Sequence, residues 1–261
     1  IAGGSLDMCN AGSSPIVVGF GNGVDLSMVY IEKYITDSES LVVRKGAGIA
    51  KVEDLKGRRV ALPFNTSVHF SMLAALDGAG MKGTDVELVN MKADSIVAAW
   101  KRSDIDAAFI WVPVLSELAA DNGEIIFTTG DLKKSGTVVF DGIVVRNAFK
   151  KEHPDLVLAY LKEYDRITAI YRDDPDTVVK KMVEYLTISE ETARAYVKSF
   201  HSLTAKEVAS QEWMGLPGMK DTGVAHTLRQ QAEFLKSTQQ LREVPENMDA
   251  LIDQSFLAKM V

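Results

Sequence analysis

Three observations predict an α/β fold in two parts. Short strand-like runs alternate with helical ones through the first half of the chain. From about Asn147 onward the pattern changes to helix after helix. At 261 residues the chain is also long enough for two lobes, since a single hydrophobic core tends to stop growing near this size.

The runs LDMCN, LSMVYI, SLVVR, RRVALP, DVELVN, DAAFIWV, EIIFTT and FDGIVV are short, apolar or alternating, and rich in branched residues, so each reads as a strand. Between them SSPIVVGFG, TSVHFSMLAALDGAG and ADSIVAAWKRS carry helical spacing. Strands that alternate with helices in this way predict parallel pairing through crossover helices, with mixed sheets flanked by helices. The later helices are HPDLVLAYLKEYDRITAIYRD, with Pro154 in its first turn, then DPDTVVKKMVEYLT, SEETARAYVKSF, VAHTLRQQAEFLKST and MDALIDQSFLAKM. GFGNGV trails a helical pattern and reads as a helix end and turn.

Composition narrows the function. A formal net charge of −7 argues against nucleic acid, which requires a basic stripe. No apolar run is long enough to span a bilayer. The single cysteine, Cys9, excludes an internal disulfide framework and a thiolate metal cluster, and is expected to be a small buried hydrophobe. The chain opens IAGGSLDMCN with no signal-peptide pattern, and LDMCNAG reads as an interior strand with nothing before it, so the sequence is expected to lack its natural start.

Two strand-to-helix junctions could carry chemistry. In NAGSSPIVV, Gly12 permits a tight turn and Ser13 or Ser14 can cap a helix. In FNTSVHF, residues 64 to 70, Thr66, Ser67 and His69 crowd the start of another. Hydroxyls at a helix start ordinarily serve as caps; two such starts at the carboxyl ends of strands would also make an anion clamp, since free N–H groups and the helix dipole both favour negative charge. His69 is either a structural histidine or part of that site, with no second ligand at metal spacing. Trp111, in FIWVP, ends a strand just before a proline that can open a helix, and is either core or the wall of a pocket. Asp141 lies inside the apolar strand VVFDGIVV; a carboxylate there needs an internal Arg or Lys, or a cationic ligand. The GxSxG, HExxH and GxxxxGK patterns and the nucleotide-type glycine fingerprint do not occur.

Taken in order, NAGSSP, SESLVVRKG, RRVALPFNTSVHFSMLAAL, AAWKRSDIDAAFIWVP and FDGIVVRNAFKKEHPDLV resemble the taurine and aliphatic-sulfonate binding proteins of bacterial ABC importers. The resemblance covers nearly the whole chain and is densest from Glu39 to Val157. It implies a type II periplasmic binding fold, with residues 1–43 and 142–261 in one lobe, 44–141 in the other, and a ligand cleft between them. It further implies that Gly12, Ser13, Ser14, Thr66, Ser67 and the Val68 amide hold a sulfonate. Phe64, of the PF pair, and His69 belong to the same turn, Trp111 matches the WxP tryptophan, and Asp141 matches the acid that faces the taurine amine. The sequence departs from the family in lacking its first strand and helix, and in carrying Val68 where the family often has a second threonine.

The expected function is therefore non-enzymatic capture of taurine or a related small aminosulfonate in the periplasm. Neither cofactor nor metal is expected; the expected partner is an ABC permease met by a monomer. The rival expectations are an enzyme on the same fold, with Cys9 the only thiol candidate, a sensor domain, and a binder of another small anion or a pyrimidine.

Overall fold

The computed structural model describes residues 1–261. In chain order the strands are β1 (Met8–Gly12), β2 (Leu26–Tyr34), β3 (Glu39–Arg44), β4 (Arg59–Leu62), β5 (Glu87–Asn90), β6 (Ala107–Trp111), β7 (Gly123–Thr128), β8 (Phe140–Arg146) and β9 (His201–Ser202). The helices are α1 (Ser13–Gly21), α2 (Ser67–Gly78), α3 (Ala93–Lys101), α4 (Val114–Ala120), α5 (Asn147–Glu152), α6 (Pro154–Asp173), α7 (Pro175–Leu186), α8 (Glu190–Ser199), α9 (Ala205–Val208) and α10 (Gly223–Ser237).

The chain forms two compact units. The first comprises Ile1–Tyr34, Phe140–Thr187 and His201–Val261; the second comprises Ile35–Val139 and Ile188–Phe200. These boundaries differ from the expected 43/44 and 141/142. β3 belongs to the second unit because β6 and β7 flank and hydrogen-bond it on its two sides, and Asp141 belongs to the first because β8 pairs with β1 and β2.

The first unit is built on a four-stranded sheet in the order β1-β8-β2-β9. All of its pairings are antiparallel, which corrects the expectation of parallel strands here. β2 is buried from Leu26 to Glu32, so it reads as a continuous apolar run in place of an alternating one. Helix α1 packs against α10 and against β8. That approach depends on Gly142, where a Cβ would stand 2.8 Å from Met28 Sδ and 3.0 Å from Ile16 Cδ1. The missing side chain lets β8 lie close under α1, which sets the position of its neighbour Asp141.

The second unit has a five-stranded sheet in the order β5-β4-β6-β3-β7. Its β5, β4 and β6 are parallel, with α2 and α3 in the intervening connections, whereas β3 and β7 run antiparallel to their neighbours. Period-two burial explains the layering. Leu41, Val43, Val60, Leu62 and Phe109 pack with Val68, Met72 and Leu76 of α2, while Val42, Ala61, Ala108 and Ile110 pack with Ile96 and Trp100 of α3 and Leu115 and Leu118 of α4. Trp100 is fully buried, its Nε1 donates to the Asp121 carbonyl at 2.8 Å, and the Arg44 guanidinium lies 4.3 Å over its ring.

The C-terminal stretch expected to be a helix, MDALIDQSFLAKM, forms instead two short 3-10 turns, Met248–Leu251 and Leu257–Lys259. Tertiary bonds override its helical spacing: the Asp253 N–H donates to the Met28 carbonyl at 2.9 Å, and its carboxylate pairs with Lys150 at 2.8 Å.

Candidate functional site

The ten residues singled out in the sequence fall into two groups. Gly12, Ser13, Ser14 and Asp141 lie in the first unit; Phe64, Thr66, Ser67, Val68, His69 and Trp111 lie in the second.

In the first unit β1 runs directly into α1, so Gly12 is the N-cap and both serines are the first residues of the helix proper. The expected side-chain cap is not made. Ser13 Oγ accepts from Gln231 Nε2 at 2.9 Å, which ties α1 to α10. Ser14 is 3% exposed and its buried Oγ has no hydrogen-bond partner. Helices α2 to α6 likewise start without a side-chain cap, whereas Asp174, Ser189, Thr204 and Thr222 cap α7 to α10 through the side chain; what sets α1 apart is the buried Ser14 hydroxyl. Two first-turn N–H groups and an unpaired buried hydroxyl thus meet at the positive end of a helix dipole. An unpaired buried hydroxyl costs about 1–3 kcal/mol, so Ser14 Oγ is a donor and acceptor available to a ligand or a water.

Asp141 is the cross-strand partner of Gly12 on one side and of Lys33 on the other, and Lys33 is in turn opposite Ser202. Directly opposed residues share a face of the sheet, so Gly12, Asp141, Lys33 and Ser202 form one row. Lys33 Nζ lies 2.9 Å from Asp141 Oδ2, with the two side chains only 15% and 18% exposed. The carboxylate therefore has an internal cation, and of the two readings open for Asp141 the structure contains the protein's own lysine. A bulge in β2 at Glu32 displaces the register just before this lysine. Glu32 is itself held by Asn10, whose Nδ2 donates to it at 2.7 Å, and by the Tyr164 hydroxyl. Burial first, and then the Glu32 charge, raise the Tyr164 hydroxyl well above the usual phenol range, so it remains a donor.

In the second unit the turn before α2 is held by its own bonds. The Phe64 N–H donates to Asn90 Oδ1 at 3.1 Å, Asn65 takes a left-handed φ of 59° that asparagine tolerates, and Thr66 Oγ1 donates to the Pro63 carbonyl at 2.7 Å. Thr66 is the N-cap residue, yet its side chain does not cap, which leaves the first-turn amides of Ser67 and Val68 without an intrahelical acceptor. Ser67 Oγ donates to Glu39 Oε1 at 2.5 Å. Glu39 is in turn the cross-strand partner of Trp111, and Trp111 and Phe64 pack on the same core. The His69 ring stacks on Phe64 with centroids 4.3 Å apart and planes 5° off parallel, while its Nδ1 accepts from the Asn65 N–H at 3.3 Å. Burial lowers its pKa, so the neutral imidazole with the proton on Nε2 is favoured.

Cys9, expected to be a small buried hydrophobe, is partly buried on β1, the edge strand. Burial of its sulfur raises the thiol pKa above its ordinary value, which keeps it protonated. Sequence reasoning missed Lys33, Glu39 and Gln231. The signal for the first two was present: EKY closes the apolar run LSMVYI, and Glu39 opens SLVVR, so each charge sits where a strand would be buried. Gln231 lies on an ordinary amphipathic helix 218 residues from Ser13 and carries no such mark.

The fold is thus a two-unit α/β one in which α1 and α2, like α3 to α6, start without a side-chain cap, and a start of this kind is able to receive an anion. The family model described as NMT1/THI5 like matches residues 1–178, and the chain belongs to that family. The taurine-binding periplasmic protein of Escherichia coli (strain K12) is 31% identical over 263 residues, covering 98% of this chain and 79% of that protein. The structure is similar to that of the periplasmic aliphatic sulphonate binding protein SsuA from Escherichia coli, with a TM-score of 0.78 at 19% identity over 98% of this chain and 83% of the other. The desulfurization enzyme DSZB shares the fold, with a TM-score of 0.68 at 17% identity over 97% and 84% of the two chains.

Proposed function

We propose that this chain is the solute-binding component of an ABC importer, which captures a small organosulfonate in the periplasm as a monomer and delivers it to a membrane permease. The observation that carries this reading is Ser14: a buried hydroxyl with no partner, at a helix start that no side chain caps. A sulfonate presents three acceptor oxygens and one negative charge, which suits a hydroxyl, first-turn amides and the positive end of a dipole. The similarity to a taurine-binding periplasmic protein over 98% of the chain supports the same class of ligand.

In this reading Gly12, Ser13 and Ser14 of the first unit meet the sulfonate, while in the second unit the Ser67 and Val68 amides form a separate uncapped helix start, with Phe64 and His69 stacked beside it. No step in this function makes or breaks a covalent bond. The raised pKa of Cys9 accords with that, because a protonated thiol is a poor nucleophile.

The test is a thermal-shift panel of taurine, ethanesulfonate, β-alanine and nitrate. A ligand bound only by the folded chain raises the melting temperature with concentration. A rise with a sulfonate and none with nitrate or β-alanine is expected; a rise with nitrate alone overturns the reading.

A further inference from the structure

The Asp141–Lys33 pair changes what the first unit can accept. An acid beside an anion-binding helix start would serve a zwitterionic ligand, whose ammonium pairs the carboxylate while its sulfonate meets the helix. Here that ammonium is already supplied: Lys33 Nζ stands 2.9 Å from Asp141 Oδ2, in direct cross-strand register, with both side chains largely buried. The second carboxylate nearest to Lys33, Glu32, is 3.9 Å away and already accepts from Asn10 and Tyr164. On the far side of Lys33, Ser202 presents a second buried hydroxyl without a partner.

We infer that Lys33 is a specificity-determining residue that takes the place of a ligand amine, so the substrate class is small sulfonates lacking an ammonium group. The inference rests on the sulfonate-binding reading above and narrows it. A taurine ammonium brought to Asp141 would meet the lysine charge at close range in a partly desolvated site, where like charges repel more strongly than in water. An uncharged tail has no such penalty. Ser202, in the same row, offers a donor and acceptor to a polar tail such as a hydroxyl.

The experiment is calorimetric titration of ethanesulfonate, its 2-hydroxy derivative isethionate, and taurine into the wild-type chain, Lys33→Met and Lys33→Gln. The wild type is expected to bind ethanesulfonate or isethionate at least about tenfold more tightly than taurine. Either lysine variant, freeing Asp141 to take an ammonium, is expected to shift the ratio toward taurine by about tenfold or more. Two variants are used because one of them can fail to fold; if both melt out, the wild-type preference alone decides. A wild-type preference for taurine, or a ratio that neither folded variant moves, overturns the inference and leaves the sulfonate reading standing. No binding of any of the three overturns both.

Discussion

Ser67 Oγ donates to Glu39 Oε1 at 2.5 Å, linking the first turn of α2 to the start of β3 in the buried part of the second unit. The hydroxyl that the sequence offers most plainly for a ligand is therefore already engaged. Its partner is a carboxylate, so the bond is charge-assisted and among the stronger kinds.

Ser67→Ala is accordingly expected to act first on stability. Removing a donor from a buried carboxylate costs about 1–3 kcal/mol, which urea denaturation of the ligand-free chain can read. If the denaturation midpoint stays put while sulfonate affinity falls, the hydroxyl serves the ligand and the Glu39 bond is incidental.

The adjacent serines of α1 separate in the opposite sense. Ser13→Ala deletes the acceptor of the buried Gln231 amide and is expected to destabilise the ligand-free chain by about 0.5–1.5 kcal/mol. Ser14→Ala removes a hydroxyl that has no partner, so it is expected to leave stability unchanged or raised while weakening sulfonate binding. Equal destabilisation by the two substitutions would contradict the contrast between them.

His69 gives the second unit a pH dependence with a definite sign. Burial holds its folded-state pKa below its ordinary value of 6.5, so the unfolded chain binds a proton that the folded chain resists. Its contribution to stability is full above pH 6.5 and is lost as pH falls toward the lowered folded value. Denaturation midpoints measured at about pH 7.5 and about pH 5.5 should therefore fall further for the wild type than for His69→Gln. A variant that keeps the full decrease would show that other groups carry it.

The extent to which the sequence announced this protein depended on the range of the interactions involved. The strands and α1 follow from local patterning, and α1 matches SSPIVVGFG residue for residue. Strand direction did not follow, since β3 and β7 are antiparallel by long-range pairing that no local pattern encodes. The terminal MDALIDQSFLAKM carried helical spacing, but Asp253 bonds to β2 and Lys150, and those contacts decided its form. At the candidate site, Ser13, Ser14 and the FNTSVHF turn could be found because helix starts have a sequence signature. The partners Gln231, Glu39 and Lys33 could be paired with them only through the fold, and Lys33 in particular reverses what Asp141 alone suggests.

The uncapped start of α1 is where the sulfonate is proposed to bind, and backbone amide resonances report on it directly. In a titration of the ¹⁵N-labelled chain with ethanesulfonate, the largest saturable shifts are expected at the Ser13 and Ser14 amides. Saturable binding that leaves the Ser13 and Ser14 amides unmoved would contradict it.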